Sequence, residues 1–123
     1  MRESRLWFWH IVSALVILVL LGIHMGIMHL GNILHFLGIG SGDPLNSSDV
    51  FRRSRHLFFA STYIVLLGAA LYHGLYGFRT ILLEFSLSKT LEKLIGRVFT
   101  VVGIALFIYG SYVAVLVYRM KGV

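Results

Sequence analysis

The chain has 123 residues, of which 58% are hydrophobic and 13% charged, and its mean hydropathy is +0.85. These values exclude an ordinary soluble domain of this length, and the lack of cysteine excludes disulfides, iron–sulfur ligation and c-type haem attachment. The formal charge of +6 lies mostly at the ends of apolar runs, which indicates contacts with lipid headgroups and protein partners and not with nucleic acid.

The first apolar run predicts a membrane-spanning helix near the N-terminus. Charged residues are absent from 6 to 42, which as one straight helix would be ~55 Å long and too long for a bilayer. We therefore expect the helix to end near Gly31, or to continue only in broken form. Residues 41–50 form the first connection, in which Ser47 or Ser48 is a plausible N-cap for the next helix.

Two further apolar runs complete the predicted fold. Between them, residues 86–97 form a second connection whose amphipathic character predicts a position in the membrane interface. The third run has no histidine and no charge, and Gly103 and Gly110 allow close helix packing. The fold class is therefore all-α, an integral membrane protein with three spans at about 6–30, 56–85 and 98–118. The basic residues divide almost evenly between the two sides, so charge does not decide the orientation.

His73 lies well inside the second span. Burial of an ionisable side chain in the membrane costs free energy, so its presence there indicates a functional role. Residues three and four positions away share its helix face, and these include Ala69, Ala70 and Gly77. Such small residues predict a flat recess beside a nitrogen ligand, a shape that suits a porphyrin. The alternative is a histidine that only hydrogen-bonds to a neighbouring helix, with small residues that allow packing.

A second histidine, His24, lies inside the first span between Gly22 and Gly26. Counted at 1.5 Å per residue from the same membrane surface, His24 is ~24 Å deep and His73 ~8 Å deep. Ligands about 16 Å apart suit two stacked haems and not one shared metal, whose ligands must lie within a few ångströms of it. A low-spin haem has two axial ligands, so a second subunit or a second copy would complete each site.

The segment from His73 to Arg79, His-Gly-Leu-Tyr-Gly-Phe-Arg, with Glu84 following, resembles the second helix of membrane anchor subunits of succinate dehydrogenase and quinol:fumarate reductase. The first span, with Ser13 and then Gly-Ile-His24-Met, resembles the first helix of the two-haem members. Two departures affect the quinone site. A tyrosine that often follows the acidic residue is Phe85 here, and no arginine lies near Ser13, so a quinone site would depend more on a partner subunit.

The resemblance implies that His73 ligates the b haem nearer the catalytic subunits and His24 the one nearer the opposite face. Arg79 is the candidate for contact with haem propionates or quinone, because a guanidinium keeps its charge and makes paired hydrogen bonds. Glu84 is a candidate proton relay at the quinone, although a solvated interfacial carboxylate explains it as well. The remaining cofactor-binding candidates are Gly77, within the family motif, and His10 and Ser13, which are quinone-site candidates at the same surface on the first span.

The implied partners are a second membrane anchor subunit, an iron–sulfur subunit, a flavoprotein subunit and membrane lipid. We expect the soluble subunits to dock through residues 79–97 and the N-terminal tip. The resemblance places the chain in a prokaryotic cytoplasmic membrane with its N-terminus inside. The chain itself is then non-catalytic or contributes to a quinone site. Two alternatives stay open: a one-haem version in which only His73 is a ligand, and a non-redox packing or holin-like protein.

Overall fold

The computed structural model describes residues 2–38 and 56–120, and the described parts are all-α. The helices are α1 (Arg2–Phe36), α2 (Leu57–Leu83) and α3 (Lys89–Arg119). Each helix contains a stretch long and apolar enough to cross a membrane. The predicted all-α fold with three spans is confirmed. The predicted N-cap at Ser47 or Ser48 lies outside the described residues.

Helix α1 runs without interruption through Gly31 to Phe36, so the expected end or break near Gly31 is wrong. One glycine in a helix interior costs only about 1 kcal/mol relative to alanine, which does not outweigh the hydrogen bonds on either side of it. The helix ends instead at Phe36, two residues before Gly38, whose φ of 72° lies in the left-handed region that glycine adopts without steric cost. At 1.5 Å per residue α1 is ~52 Å long, more than a bilayer core needs.

The connection between α2 and α3 is shorter than the sequence suggested. Helix α3 begins at Lys89, because Ser88 caps it: the Ser88 hydroxyl oxygen accepts a hydrogen bond from the Leu91 backbone N–H at 3.3 Å. The prediction that residues 86–97 form the connection before the third helix is therefore wrong, whereas their position in the membrane interface stays a prediction. Most of that segment forms the first turns of a single helix that continues to Arg119.

Helix α2 lies between the other two helices, and in the described residues α1 and α3 do not contact each other. Small residues allow α3 to pack closely against α2. A Cβ added at Gly103 would lie 2.8 Å from Leu75 Cδ1, and one added at Gly110 would meet the Leu67 side chain at still closer range. The predicted packing role of Gly103 and Gly110 is confirmed.

The helices bury very little of one another's side chains. Among the described residues only Ala60 and Ser13 are buried, and large apolar side chains such as Leu18 are mostly exposed. An apolar exterior of this kind is stable in lipid, where helix association depends on close packing and on hydrogen bonds between helices. The outer faces of the three helices are therefore available to lipid or to other subunits.

Candidate functional site

His73 of α2 and His10 of α1 lie against each other where the two helices pack. Their imidazole rings are stacked, with centroids 4.1 Å apart and an angle of 3° between the ring planes. Tyr76, one turn after His73 on α2, contacts the same His10 ring at a centroid distance of 5.1 Å. Two residues that the sequence identified separately therefore form one cluster within the apolar spans.

The backbone carbonyl of His10 orients His73. Nδ1 of His73 lies 3.3 Å from this oxygen, and because a carbonyl only accepts, Nδ1 is assigned as the protonated nitrogen. The hydroxyl of buried Ser13 donates to the same oxygen at 2.7 Å. In this tautomer Nε2 of His73 has a free lone pair, which is the form of imidazole that binds a metal.

Gly77 makes room for His10. A Cβ added at Gly77 would lie 3.2 Å from Cε1 of His10 and 3.8 Å from its Nε2, which is too close for a larger residue without movement. The recess predicted beside Gly77 is thus filled by the imidazole of His10. Nδ1 of His10 is itself buried and has no hydrogen-bond partner among the described residues.

The other flank of His73 is open. Ala70 and Gly74 are exposed, and a Cβ added at Gly74 would meet nothing within 4 Å. His73 also borders a groove of about 420 Å³, here called the α1 groove. Its other lining residues form one stripe along α1: Ala14, Ile17, Leu18, Leu21, Gly22 and Met25. The small residues beside His73 and the groove both leave space for a planar group.

His24 lies in a second place, well separated from His73. Its ring contacts Tyr63 edge-on, with centroids 5.8 Å apart. Tyr63 is ten residues from His73 on α2, or ~15 Å along the helix axis. The contacts of the two histidines therefore agree with the separation of about 16 Å expected from the sequence. Gly22 and Gly26, on either side of His24, have open space where a Cβ would be.

Arg79 does not join the His73 cluster. It lines a larger groove between α2 and α3, here called the α2–α3 groove, to which α1 contributes Glu3 and Leu6. The Nε of Arg79 lies 3.5 Å from the position of a Cβ added at Gly96. Glu84 is exposed and follows the last residue of α2; its backbone N–H donates to the Ile81 carbonyl, and the Phe85 N–H donates to the Leu82 carbonyl. Arg79 and Glu84 thus lie at the same end of α2, on different parts of its surface.

Among the described residues no group of three or more histidine, aspartate or glutamate side chains could hold a metal ion.

The sequence reasoning missed three tyrosines that shape these places. Tyr72 donates its hydroxyl to the backbone carbonyl of Leu6 at 2.9 Å and joins α1 to α2. Tyr76 contacts His10, and Tyr63 contacts His24. Tyr76 follows His73 by three residues, so its position on the same helix face was a signal available in the sequence.

Comparison with known proteins finds a distant relative that covers most of the chain. The sequence is 27% identical over 114 residues to a protein of Thermoplasma acidophilum named "Succinate dehydrogenase hydrophobic membrane anchor subunit". The match covers 92% of this chain and 85% of that protein. No protein-family model matches the chain, and no solved structure matches it.

Proposed function

We propose that this integral membrane chain, a distant homologue of a succinate dehydrogenase hydrophobic membrane anchor subunit, is a haem b-binding anchor that passes electrons between an iron–sulfur subunit and membrane quinone. The observation that carries the proposal is the contact between His73 Nδ1 and the His10 carbonyl oxygen. Metal-ligating histidines almost always donate their second ring N–H to a carbonyl, a carboxylate or water.

The surroundings of His73 fit a b haem. Its Nδ1 is held at 3.3 Å by a carbonyl that Ser13 also contacts, so the ring orientation is fixed before any ligand binds. Ala70 and Gly74 leave its flank open. A bound b haem supplies one-electron transfer, and the protein tunes its potential through axial ligands, hydrogen bonds and burial. His10 and Ser13 would then act as positioning residues for the His73 ligand.

His24 is the proposed ligand of a second haem in the other leaflet. The open space at Gly22 and Gly26 and the separation of ~15 Å along α2 support this role. A second anchor subunit would supply the missing axial ligand of each haem. In the one-haem alternative, His24 only packs against Tyr63.

Quinone contact is proposed for the end of α2. Arg79 offers a permanent positive charge for a quinone headgroup or a haem propionate. Glu84 is exposed at the same end and is the proposed proton relay between quinone and water. The iron–sulfur and flavoprotein subunits would dock at this membrane surface, which we assign to the cytoplasmic side.

The test is haem quantification in the purified complex after replacement of single histidines by leucine. We expect His73→Leu to remove one b haem per flavin or to shift its midpoint potential, and His24→Leu to do the same for the other. His29→Leu is the matched control, because His29 is an exposed histidine on the same helix as His24. If His73→Leu retains both haems at unchanged potentials, the proposal is wrong. If only His24→Leu has no effect, the one-haem version holds.

A non-redox packing protein is the second candidate, and the ring contacts favour it. The His10–His73 stack and the His24–Tyr63 contact both join α1 to α2 without any cofactor. An absorption spectrum of the reduced complex separates the two functions. A b-type α-band supports the haem anchor, and a colourless complex with intact subunits supports packing alone.

A further inference from the structure

The α2–α3 groove has a volume of about 1010 Å³, more than twice that of the α1 groove. Its apolar part is lined by facing residues of the two helices, among them Gly68, Leu75, Ile104 and Phe107. Gly68 lets the Phe107 ring of α3 pack close to α2, 3.1 Å from the place of a Cβ. At 3.6 residues per turn, the groove residues Leu75 and Arg79 lie on the flank of α2 opposite Ala70 and Gly74.

One end of the groove is charged and the rest is apolar. The charged lining residues are three cations, Arg79, Lys93 and Arg97, and two acids, Glu3 and Glu92. Three positive charges less two negative ones leave one positive charge at this end. Lys93 and Arg97 are exposed on the first turns of α3, where they can reach the headgroup layer. The charge of the groove therefore complements a ligand with a single negative charge at one end.

The length of the groove matches one leaflet of a bilayer. Gly68 and Arg79 are eleven residues apart on α2, or ~17 Å, and Lys93 and Phe107 are fourteen apart on α3, or ~21 Å. Half of a hydrocarbon core of ~30 Å is ~15 Å, and the headgroup layer adds to that. An extended chain with a polar head would fill the groove from the surface to the middle of the membrane.

From this combination we propose that the α2–α3 groove binds one anionic phospholipid. Its phosphate lies against Lys93 and Arg97, and an acyl chain lies along Gly68, Ile104 and Phe107. The site does not include His73, because it uses the flank of α2 that faces away from the open side of His73, but it shares Arg79 with the proposed quinone or propionate contact. Membrane lipid is then a defined ligand of this subunit and not only its solvent.

The test uses the complex as purified in a neutral detergent. It is titrated with dioleoylphosphatidylglycerol or dioleoylphosphatidylcholine, and lipids bound to this chain are counted by native mass spectrometry. We expect the anionic lipid to bind first. Arg97→Gln should weaken it about fivefold, the effect of one basic residue near an anionic headgroup, and Lys93→Gln should act similarly. Arg119→Gln is the matched control, because Arg119 lies at the other end of α3.

A second pair of variants tests the apolar part. Ile104→Trp fills the groove and should reduce binding of the anionic lipid, whereas Ile108→Trp, an exposed isoleucine on α3 that does not line the groove, should not. The proposal would be overturned if phosphatidylglycerol and phosphatidylcholine bound equally well. It would also be overturned if a variant and its control lost the same affinity for the anionic lipid. The proposal would also be wrong if a long-chain quinone displaced the anionic lipid, or if a partner subunit covered the groove and excluded lipid from it. Circular dichroism verifies that each variant keeps its helices.

Discussion

Substitution of Gly77 by alanine tests the packing of His10 against α2. The added Cβ would lie 3.2 Å from Cε1 of His10, whereas carbon atoms in ordinary contact are about 3.5–4.0 Å apart. The His10 ring must therefore retreat by a few tenths of an ångström. That movement is resisted because the ring stacks on His73 at 4.1 Å. Overpacking of this kind costs about 1–3 kcal/mol.

The same helix supplies a matched control. Gly74 is three residues earlier in α2, and a Cβ added there meets nothing within 4 Å. Both replacements by alanine gain a similar helix propensity of about 1 kcal/mol, so the difference between them isolates the contact with His10. We expect Gly77→Ala to be about 1–3 kcal/mol less stable than Gly74→Ala.

The assay is equilibrium unfolding of the recombinant chain in mixed micelles with increasing dodecyl sulfate, followed by circular dichroism. The same comparison is repeated with His10→Ala, which removes the ring that the new methyl group would strike. In the His10→Ala background, Gly77→Ala should be as stable as Gly74→Ala. Equal stability of the two alanine variants, or a penalty that persists without the His10 ring, would refute the reasoning.

Two further substitutions test other contacts. Tyr72→Phe removes the hydroxyl that donates to the Leu6 carbonyl, and it should destabilise the chain by about 0.6 kcal/mol, the average for hydrogen bonds between membrane helices. Tyr109→Phe, at an exposed tyrosine of α3, should leave the same unfolding curve unchanged. Ser88→Ala removes the cap that holds the Leu91 N–H and should destabilise the start of α3 by about 1 kcal/mol. Faster hydrogen exchange over 89–92, without a change in the rest of α3, is the expected result.

Much of the fold could be predicted from the sequence because few backbone structures are stable in lipid. Uncharged runs of about 20 residues have the length of a membrane-spanning helix, in which each backbone polar group finds its partner within the segment. The helix ends follow weaker signals. Gly31 did not end α1, because one unfavourable residue competes with a long run of backbone hydrogen bonds. The pattern around Leu91 predicts an interfacial connection, but Ser88 caps α3 before this segment, so these residues belong to the helix.

The separation of the two histidines along the helices was predictable from the sequence, whereas the contacts around them were not. Helix rise alone separates His24 from His73 correctly, because distance along an axis needs only a residue count. The His10–His73 stack depends on how α1 and α2 are rotated toward each other, and a single sequence does not state that rotation. The groove that Arg79 lines depends in the same way on how α2 and α3 are rotated toward each other, and the role of Arg79 at a haem or quinone stays a prediction.

The absence of contact between α1 and α3 in the described residues makes α2 a shared partner of two separate interfaces. Gly77 contributes to one interface, through His10, and Gly110 to the other, through Leu67. Substitutions that share no partner and lie far apart change the free energy of unfolding additively, to within about 0.3–0.5 kcal/mol. The chain is thus modular at the level of helix pairs: each side of α2 can vary in sequence with little energetic effect on the other.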